Sequence, residues 1–431
     1  MSELREKHPE VGTCVELFAG GGGLAMGVHN AGFRPLLVNE YANWAVKTLQ
    51  TNPTPGGGEW PLKPGDVRGL VDDFKKLEGE VDVLAGGPPC QPFSLGGAHK
   101  GTEDERNMFP QMFRAIQEMR PKAVICENVR GLLRKSFEPY FLYILNEMRL
   151  PFVEREPGTT WEEHNELLEK LLANDAVPAS ERYDVVRHQV NAADYGVPQV
   201  RHRVIIVAFR ADLGVKWDDF EPKRKFSWES LIHSMREGGE YWDRHEEVDD
   251  EAKKRTIANL PSLNLDNTEV KEKLKLLPWR TLRDAITGID ENEGVPLPPV
   301  PLDAVENKEQ VGKISDHFGW PRARIYAGHT PNVLDRPAKT VKAGVHGVPG
   351  GESVIQLDDV AFDGTGVRYM TVRETARVMT FPDKWQLAGP RGEKMRQLGN
   401  AVPVKLAETF AKAVGAALRS VDASKDSRKK Q

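Results

Sequence analysis

A glycine-rich turn between a short apolar strand and a helix, near the start of the chain, constrains the fold most. The segment TCVELF runs into AGGGGLAMG, so glycines stand where the chain must turn tightly from strand to helix. Gly20, Gly22 and Ala25 fit the G-x-G-x-x-G/A spacing, and Glu40 ends the next apolar run, where it can bind a ribose hydroxyl. The pattern predicts a Rossmann-like unit for an adenosine-type cofactor, and a nicotinamide dinucleotide would satisfy it equally well.

Further short apolar runs alternate with helix-like stretches through the first half of the chain. They are VDVLAGG, AVICENV, YDVVRHQV and RVIIVAF, separated by segments such as RNMFPQMFRAIQEMR. This alternation predicts an α/β fold with a doubly wound, mostly parallel sheet and helices on both faces. Residues 151–180 are polar and helix-like, and we interpret them as an insertion before the strand near Tyr183.

A change in composition after about Arg210 indicates a second domain. The chain becomes rich in tryptophan, proline and charge, without a clean period, and 431 residues exceed what one hydrophobic core usually serves. We predict a catalytic and cofactor-binding domain over 1–211 and an irregular second domain over 212–385. A segment over 386–420 is expected to pack back on the first domain, and 421–431 to form a flexible tail.

Composition excludes several classes of protein. No apolar stretch is long enough to cross a bilayer, and the charged N-terminus MSELREKHPE lacks the apolar core of a signal peptide, so we expect a cytoplasmic protein. The three cysteines, Cys14, Cys90 and Cys126, are far apart and form no C-x-x-C pair. This spacing argues against a disulfide framework and against a metal site.

Overall charge does not indicate a nucleic-acid partner, but local charge is compatible with one. The chain has 59 Lys+Arg against 64 Asp+Glu, a net charge of -5. Between residues 313 and 342, however, basic residues outnumber Asp316 and Asp335. They are Lys313, Arg322, Arg324, Arg336, Lys339 and Lys342. Such a cluster can face phosphates or simply form a solvated surface.

Three kinds of reactive side chain are expected at one edge of the sheet. Cys90 follows an apolar strand in the segment GGPPCQPFS, at the carboxyl end where open α/β sheets place their sites. Glu127 ends the next strand, and Arg201 and Arg203 open a third in QVRHR. Each alone could be structural, as a buried thiol, a helix cap or a surface ion pair. Together they favour a site with a thiolate nucleophile, a proton donor or acceptor, and anion or carbonyl donors.

At this point the chain resembles the DNA cytosine-5 methyltransferase family over almost its whole length. VELFAGGGGL resembles the S-adenosylmethionine loop of that family, VNE its ribose-binding strand and GDV its adenine-contacting turn. GGPPCQPFS resembles the catalytic loop, ENV the acid strand and QVRHR the arginine strand. RYMTVRETARVMTFPD and QLGNAVPV resemble the two closing motifs, and RPAKTVKAG resembles the end of the target-recognition domain.

The resemblance implies a role for each reactive residue. Cys90 would add to carbon 6 of an extruded cytosine, which makes carbon 5 nucleophilic toward the methyl group of S-adenosylmethionine. Glu127 would bind ring nitrogen 3 and the exocyclic amine, Arg203 would hold the carbonyl oxygen, and Arg201 would support the site. The base that removes the carbon 5 proton is not identified.

The resemblance also implies contacts with cofactor and DNA. Cofactor contacts are expected from Phe18, Gly20, Gly22, Leu24, Glu40, Asp66, Val67, Pro89 and Asn400. DNA contacts are expected from Gln91, Ser94, Thr340, Arg336 and Lys339. The implied partner is double-stranded DNA, met by a monomer at the bacterial nucleoid, with a cognate restriction endonuclease as a possible companion.

Three alternatives stay open on sequence alone. A tRNA cytosine-5 methyltransferase shares this catalytic core, although the long segment between QVRHR and the closing motifs favours DNA. A catalytically silent DNA-binding regulator would not need Cys90, Glu127 and Arg203 together. A nicotinamide-dependent oxidoreductase would explain the glycine loop but not those three residues.

Overall fold

The computed structural model describes residues 10–89, 107–288, 295–325, 328–343 and 353–429. The chain divides into two compact units, each of them discontinuous in sequence. The first unit consists of Met1–Val190, His202–Pro222 and Ala407–Gln431, and the second of Asn191–Arg201 and Lys223–Leu406.

A seven-stranded sheet organises the first unit. Its strands are β1 (Gly12–Leu17), β2 (Phe33–Glu40), β3 (Leu62–Pro64), β4 (Val83–Gly86), β5 (Ala123–Val129), β6 (Tyr183–Asn191) and β7 (His202–Arg210). Their order across the sheet is β3-β2-β1-β4-β5-β7-β6. The pairs β1–β2, β2–β3, β1–β4 and β4–β5 are parallel, whereas β5–β7 is antiparallel. The predicted mostly parallel α/β sheet is confirmed, with β7 reversed.

Helices connect these strands. They are α1 (Gly23–Asn30), α2 (Asn43–Thr51), α3 (Val71–Lys75), α4 (Phe109–Met119), α5 (Glu138–Arg149) and α6 (Trp161–Ala173). β4, at the centre of the sheet, is apolar and buried along its whole length, as expected for a strand covered on both faces. The predicted insertion contains α6, which begins with a capping box formed by Thr160 and Glu163.

A long C-terminal helix, α15 (Val404–Lys429), returns the chain to the first unit from Ala407 onward. The ring of Phe410 packs edge-on against His188, 5.6 Å between centroids, and a Cβ added to Gly415 would lie 3.0 Å from a methyl carbon of Val11. The helix continues to Lys429, through residues that we expected to form a flexible tail, because no glycine or proline interrupts that segment.

The second unit is built from short elements, as its irregular sequence suggested. Its helices are α7 (Trp228–Ser234), α8 (Glu240–Arg244), α9 (Asp250–Ala258), α10 (Thr268–Lys273), α11 (Leu282–Thr287), α12 (Leu302–Asn307), α13 (Val372–Val378) and α14 (Arg391–Asn400), and it also holds the start of α15. Its strands are β8 (Phe226–Ser227), β9 (Leu277–Pro278), β10 (Asn332–Val333), β11 (Val354–Gln356) and β12 (Val367–Tyr369). None of the helices in the described ranges is long and apolar enough to cross a membrane.

Buried ion pairs hold this unit together alongside small apolar clusters. The guanidinium of Arg283 donates to both carboxylate oxygens of Asp335 and to both of Asp358, at 2.5 to 3.1 Å. The hydroxyl of Tyr241 donates to Asp335 at 2.8 Å. Burial alone would raise the pKa of Asp335, but the Arg283 guanidinium and the hydrogen bond from Tyr241 keep it below its usual range.

The segment Asn191–Arg201, which we assigned to the first domain from sequence, is counted with the second unit. Gln199 forms a parallel bridge with Ala338, and the Val200 amide donates to the Ala338 carbonyl at 2.8 Å. These backbone contacts join residues far apart in sequence, so local pattern could not reveal them.

Candidate active site

The first unit brings two functional turns together at the carboxyl edge of its sheet. β1 and β4 are parallel neighbours, and Leu17 at the end of β1 is paired with Gly86 at the end of β4. The glycine turn starts after Leu17, and the loop toward Cys90 starts after Gly86. A Cβ on Gly86 would lie 3.0 Å from the Leu17 carbonyl oxygen, so the close approach of the two strands favours glycine at this position. In this sheet order, the β1–β4 junction is the switch point where open α/β sheets bind ligands.

The turn after β1 has the backbone that its glycines predicted. Gly20 and Gly22 have positive φ angles of 56° and 90°, and Phe18 also adopts a positive φ of 60°. A Cβ built on Gly20 would find no described atom within 4 Å, so there is open space beside this backbone. The Met26 amide donates to the Gly22 carbonyl, which starts α1, and Leu24 is buried in that first turn.

The carboxylate of Glu40 lies beside this turn and is held there by backbone amides. Gly20 N–H donates to Oε2 at 2.6 Å, and the Tyr41 and Ala42 amides donate to Oε1 at 2.9 and 2.6 Å. The carboxylate is thereby fixed in place but keeps acceptor capacity. Tyr41, which sequence reasoning missed, is 74 % exposed and stands next to this carboxylate in the chain.

Asp66 and Val67 lie in the turn after β3. The Asp66 side chain accepts from the Arg68 amide at 2.9 Å and from Arg68 Nε at 3.1 Å, and the amide hydrogen bond in particular lowers the pKa of Asp66. Val67 is buried. The Gly65 amide donates to the Glu40 carbonyl at 2.9 Å, which joins this turn to the end of β2.

Cys90, Gln91 and Ser94 lie outside the described residues, whereas the backbone on both sides of their segment is described. Asn128 Nδ2 donates to the Pro88 carbonyl at 3.0 Å, and the Met108 amide donates to the Pro89 carbonyl at 3.1 Å. Residues 89 and 108 are therefore neighbours at this place, beside the end of β5. Asn128 was not singled out from sequence, although it stands inside the ENV motif that we recognised.

Glu127 and Arg203 form an ion pair beside this place. Arg203 Nε donates to Glu127 Oε1 at 2.8 Å, and both side chains are almost fully buried. A Cβ built on Gly87 would lie 3.6 Å from Glu127 Oε2, so the carboxylate faces the first residue after β4. The structure thus brings Glu127, Arg203 and the start of the loop toward Cys90 together.

Arg201, unlike Arg203, belongs to the second unit and is buried there. It is 1 % exposed, and its guanidinium donates to the carbonyls of Val341, Gly399 and Ala401 at 2.8 to 2.9 Å. These three backbone carbonyls are among the partners of Arg201 in the second unit.

The remaining predicted residues belong to the second unit. Thr340 Oγ1 donates to the Val200 carbonyl at 2.8 Å, and Lys339 Nζ donates to the Thr330 carbonyl at 2.5 Å. The Arg336 guanidinium lies 5.7 Å from the ring centre of Trp228. Asn400 is the last residue of α14 and is exposed. Within the described ranges, no group of three or more His, Cys, Asp and Glu side chains could hold a metal ion.

The fold and this edge define a class. The sheet is open, with a glycine turn after its first strand and an acidic residue at the end of its second. An acid–arginine pair lies at the same edge. This arrangement is typical of Rossmann-like enzymes that bind an adenosine-type cofactor. A family model described as C-5 cytosine-specific DNA methylase matches residues 12–150 and 163–416. The chain therefore belongs to the family of C-5 cytosine-specific DNA methylases and is a DNA (cytosine-5)-methyltransferase, as its motifs predicted.

Individual relatives agree with this assignment. The chain is 30 % identical to the Type II methyltransferase M.Eco47II of Escherichia coli, over 93 % of this chain and 78 % of the relative. It is 28 % identical to the Type II methyltransferase M.NgoMIV of Neisseria gonorrhoeae, over 94 % and 98 %. A solved methyltransferase structure from Entamoeba histolytica shares the fold at 14 % identity, with a TM-score of 0.50 over 94 % of this chain and 98 % of the other.

Proposed function

We propose that this protein methylates carbon 5 of one cytosine within a specific double-stranded DNA sequence, through a covalent bond from Cys90 to the base. The observation that carries this proposal is the buried Glu127–Arg203 pair, 2.8 Å apart, beside the loop that leads to Cys90. Family membership supplies the reaction, and this pair supplies groups suited to a cytosine ring.

The reaction requires activation of the ring, because carbon 5 of cytosine is a poor nucleophile. The Cys90 thiolate forms a bond to carbon 6, and the electron pair of the 5,6 double bond becomes available at carbon 5. S-adenosylmethionine, when bound, supplies the methyl group that carbon 5 takes. A base then removes the carbon 5 proton, and the sulfur–carbon bond breaks to restore both the thiolate and the aromatic ring.

Glu127 and Arg203 stabilise the ring while Cys90 is attached. Negative charge develops toward ring nitrogen 3 and the carbonyl oxygen as the thiolate adds. The Glu127 carboxyl hydrogen-bonds ring nitrogen 3 and the exocyclic amine and so favours protonation of nitrogen 3, while the further N–H groups of Arg203 donate to the carbonyl oxygen. Their near-complete burial strengthens these interactions relative to water.

The residues of the glycine turn fit S-adenosylmethionine. The open space beside Gly20 accommodates a ligand against backbone, and the fixed Glu40 carboxylate can accept from ribose hydroxyls. The exposed ring of Tyr41 can stack on the adenine, with Asp66 and Val67 at its edge. Phe18, Gly22, Leu24, Pro89 and Asn400 complete the proposed contact set.

We assign target recognition to the second unit. Arg336, Lys339 and Thr340 would contact the DNA backbone, and Gln91 and Ser94, next to Cys90 in the chain, would contact the extruded nucleotide and its surroundings. Because its relatives are named Type II methyltransferases, we propose that the enzyme protects DNA against a cognate restriction endonuclease. It would act as a monomer on the bacterial nucleoid, in the cytoplasm.

Expression in a bacterial host without cytosine methylation, followed by bisulfite sequencing of its DNA, tests the proposal. We expect one short sequence context to become methylated, and Cys90→Ser to abolish methylation while the purified variant still binds duplex DNA. The wild-type protein should form a denaturation-resistant adduct with DNA carrying 5-fluorocytosine. Methylation of tRNA but not of duplex DNA in parallel assays, or appreciable turnover by Cys90→Ser, would contradict it.

A further inference from the structure

The buried guanidinium of Arg201 connects three chain segments of the second unit that lie far apart in sequence. Nη1 donates to the Val341 carbonyl at 2.8 Å, and Nη2 donates to the carbonyls of Gly399 and Ala401 at 2.8 and 2.9 Å. One planar group therefore fixes its own segment, the segment at Val341 and the end of α14 relative to one another.

The first two segments also interact directly. Gln199 Oε1 accepts from the Val341 amide at 3.0 Å and from Arg201 Nη1 at 3.4 Å. The Thr340 hydroxyl donates to the Val200 carbonyl at 2.8 Å. Thr340, a proposed DNA contact, is thereby held through its own hydroxyl and through the amide of the residue that follows it.

The third segment, at the end of α14, packs closely against the backbone of Ala343. A Cβ on Gly399 would lie 2.2 Å from the Ala343 amide nitrogen, so only glycine fits at this point of α14. Gly399 and Ala401 flank Asn400, and their two carbonyls accept from the same Arg201 nitrogen. The backbone of Asn400, a proposed cofactor contact, is thus held between two hydrogen bonds from one charged group.

Burying a guanidinium costs free energy unless its hydrogen bonds have good geometry. A buried arginine at this position therefore suggests that it fixes the positions of the segments it binds. We propose that Arg201 is a positioning residue, which sets Asn400 for the cofactor and Thr340 for DNA around one buried charge. This inference rests on the proposed function, since it assumes that Asn400 and Thr340 are contacts. From the sequence we expected Arg201 to support the site, and the inference says through which residues it would do so.

A matched control is available in the same unit. Arg373 is also fully buried, and it donates to the carbonyls of Ser315, Pro382 and Trp385 at 2.8 to 3.2 Å. None of those three residues neighbours a proposed contact residue in the chain. Arg373→Lys therefore reproduces the loss of a buried guanidinium whose three carbonyl partners lie outside the segments of Asn400 and Thr340.

The experiment compares Arg201→Lys with Arg373→Lys in the full-length protein. We expect both variants to lower the melting temperature, whereas only Arg201→Lys raises the dissociation constant for S-adenosylmethionine, by about tenfold. In an Asn400→Ala background, Arg201→Lys should add little further loss of affinity, because both changes act through one residue. Equal cofactor affinity in the two lysine variants, or additive losses with Asn400→Ala, would overturn the inference.

Two further measurements keep the outcomes distinct. Wild-type protein that does not bind S-adenosylmethionine would refute the proposed function itself, before any variant is compared. If Arg201→Lys does not fold, Gln199→Asn shortens the amide that supports Val341 and the Arg201 guanidinium, and should weaken cofactor binding about threefold. Unchanged affinity in a folded Gln199→Asn protein would then overturn the inference.

Discussion

Arg203 Nε lies 2.8 Å from Glu127 Oε1, and the antiparallel register of β5 and β7 places the two residues on the same face of the sheet. Glu127 is paired with Ile205, and Arg203 is paired with Val129. Side chains alternate along a strand, so Glu127 and Arg203 are diagonal neighbours within reach of each other. Since β7 is reversed, its beginning lies at the edge where β5 ends.

Glu127→Gln should remove most of the activity with little effect on DNA binding. The amide keeps the shape of the side chain but cannot protonate ring nitrogen 3, and it loses the charge that Arg203 faces. We expect kcat to fall by about 10²- to 10³-fold in a methyl-transfer assay. Glu138→Gln, on the exposed start of α5, serves as the control and should retain full activity. Turnover above a tenth of the wild-type rate would argue against an acid role.

Asn128→Asp should weaken catalysis because it removes the hydrogen bond from the Asn128 side chain to the Pro88 carbonyl. The native Nδ2 donates to that oxygen at 3.0 Å, whereas an aspartate would place a second acceptor against it. We expect a loss of about 1–3 kcal/mol in unfolding free energy, measured by urea denaturation, and a lower kcat. Asn174→Asp changes an exposed asparagine whose Nδ2 also donates to a carbonyl, and its effects should be small by comparison.

Gly20→Ala should affect cofactor binding more than folding. The residue has φ of 56°, so an alanine there costs about 1 kcal/mol of stability, and its methyl group enters the open space beside the turn. We expect the dissociation constant for S-adenosylmethionine, measured by calorimetry, to rise at least about tenfold.

Gly57→Ala is the matched control for that change. Gly57 also has a positive φ, 91°, and a Cβ there would likewise meet no described atom within 4 Å. It should have a similar backbone cost, about 1 kcal/mol, without any change in cofactor affinity. Equal affinities in the two variants would place the cofactor elsewhere.

Sequence predicted the elements with a local signature and missed those that depend on distant partners. The turn after β1 was visible because its glycines and Glu40 occur in one short stretch. The partners of Arg201 lie at residues 341, 399 and 401, and no local pattern relates them to position 201. The reversed direction of β7 was equally hidden, because an apolar strand has the same composition in either direction.

Glu147 should make stability depend on pH near neutrality. Burial raises the pKa of this α5 carboxyl to about 7, while the unfolded chain titrates near 4.5. Between about pH 4.5 and pH 7 the Glu147 carboxyl is protonated in the folded protein but ionised in the unfolded chain. The stability of the folded state is therefore highest below about pH 4.5, and it falls as pH rises through 7. Glu147→Gln should abolish this loss, which we expect to be about 1–3 kcal/mol.

Urea denaturation of wild type and Glu147→Gln between pH 5 and about pH 8 measures the difference. The gap in unfolding free energy should widen in favour of the glutamine variant as pH rises. Glu166→Gln, at an exposed position of α6, controls for the loss of a carboxylate and should track wild type. A constant gap across this range would show that Glu147 does not hold its proton in the folded protein.

The return of α15 to the first unit has a consequence for synthesis of the protein. Phe410 and Gly415 complete the packing around His188 and Val11, yet a ribosome makes them only after the whole second unit. Most of the first unit is translated before the second unit, but the first unit is complete only after the second has been made. Premature termination anywhere in the second unit would leave the positions that Phe410 and Gly415 cover, at His188 and Val11, open to chaperones and proteases.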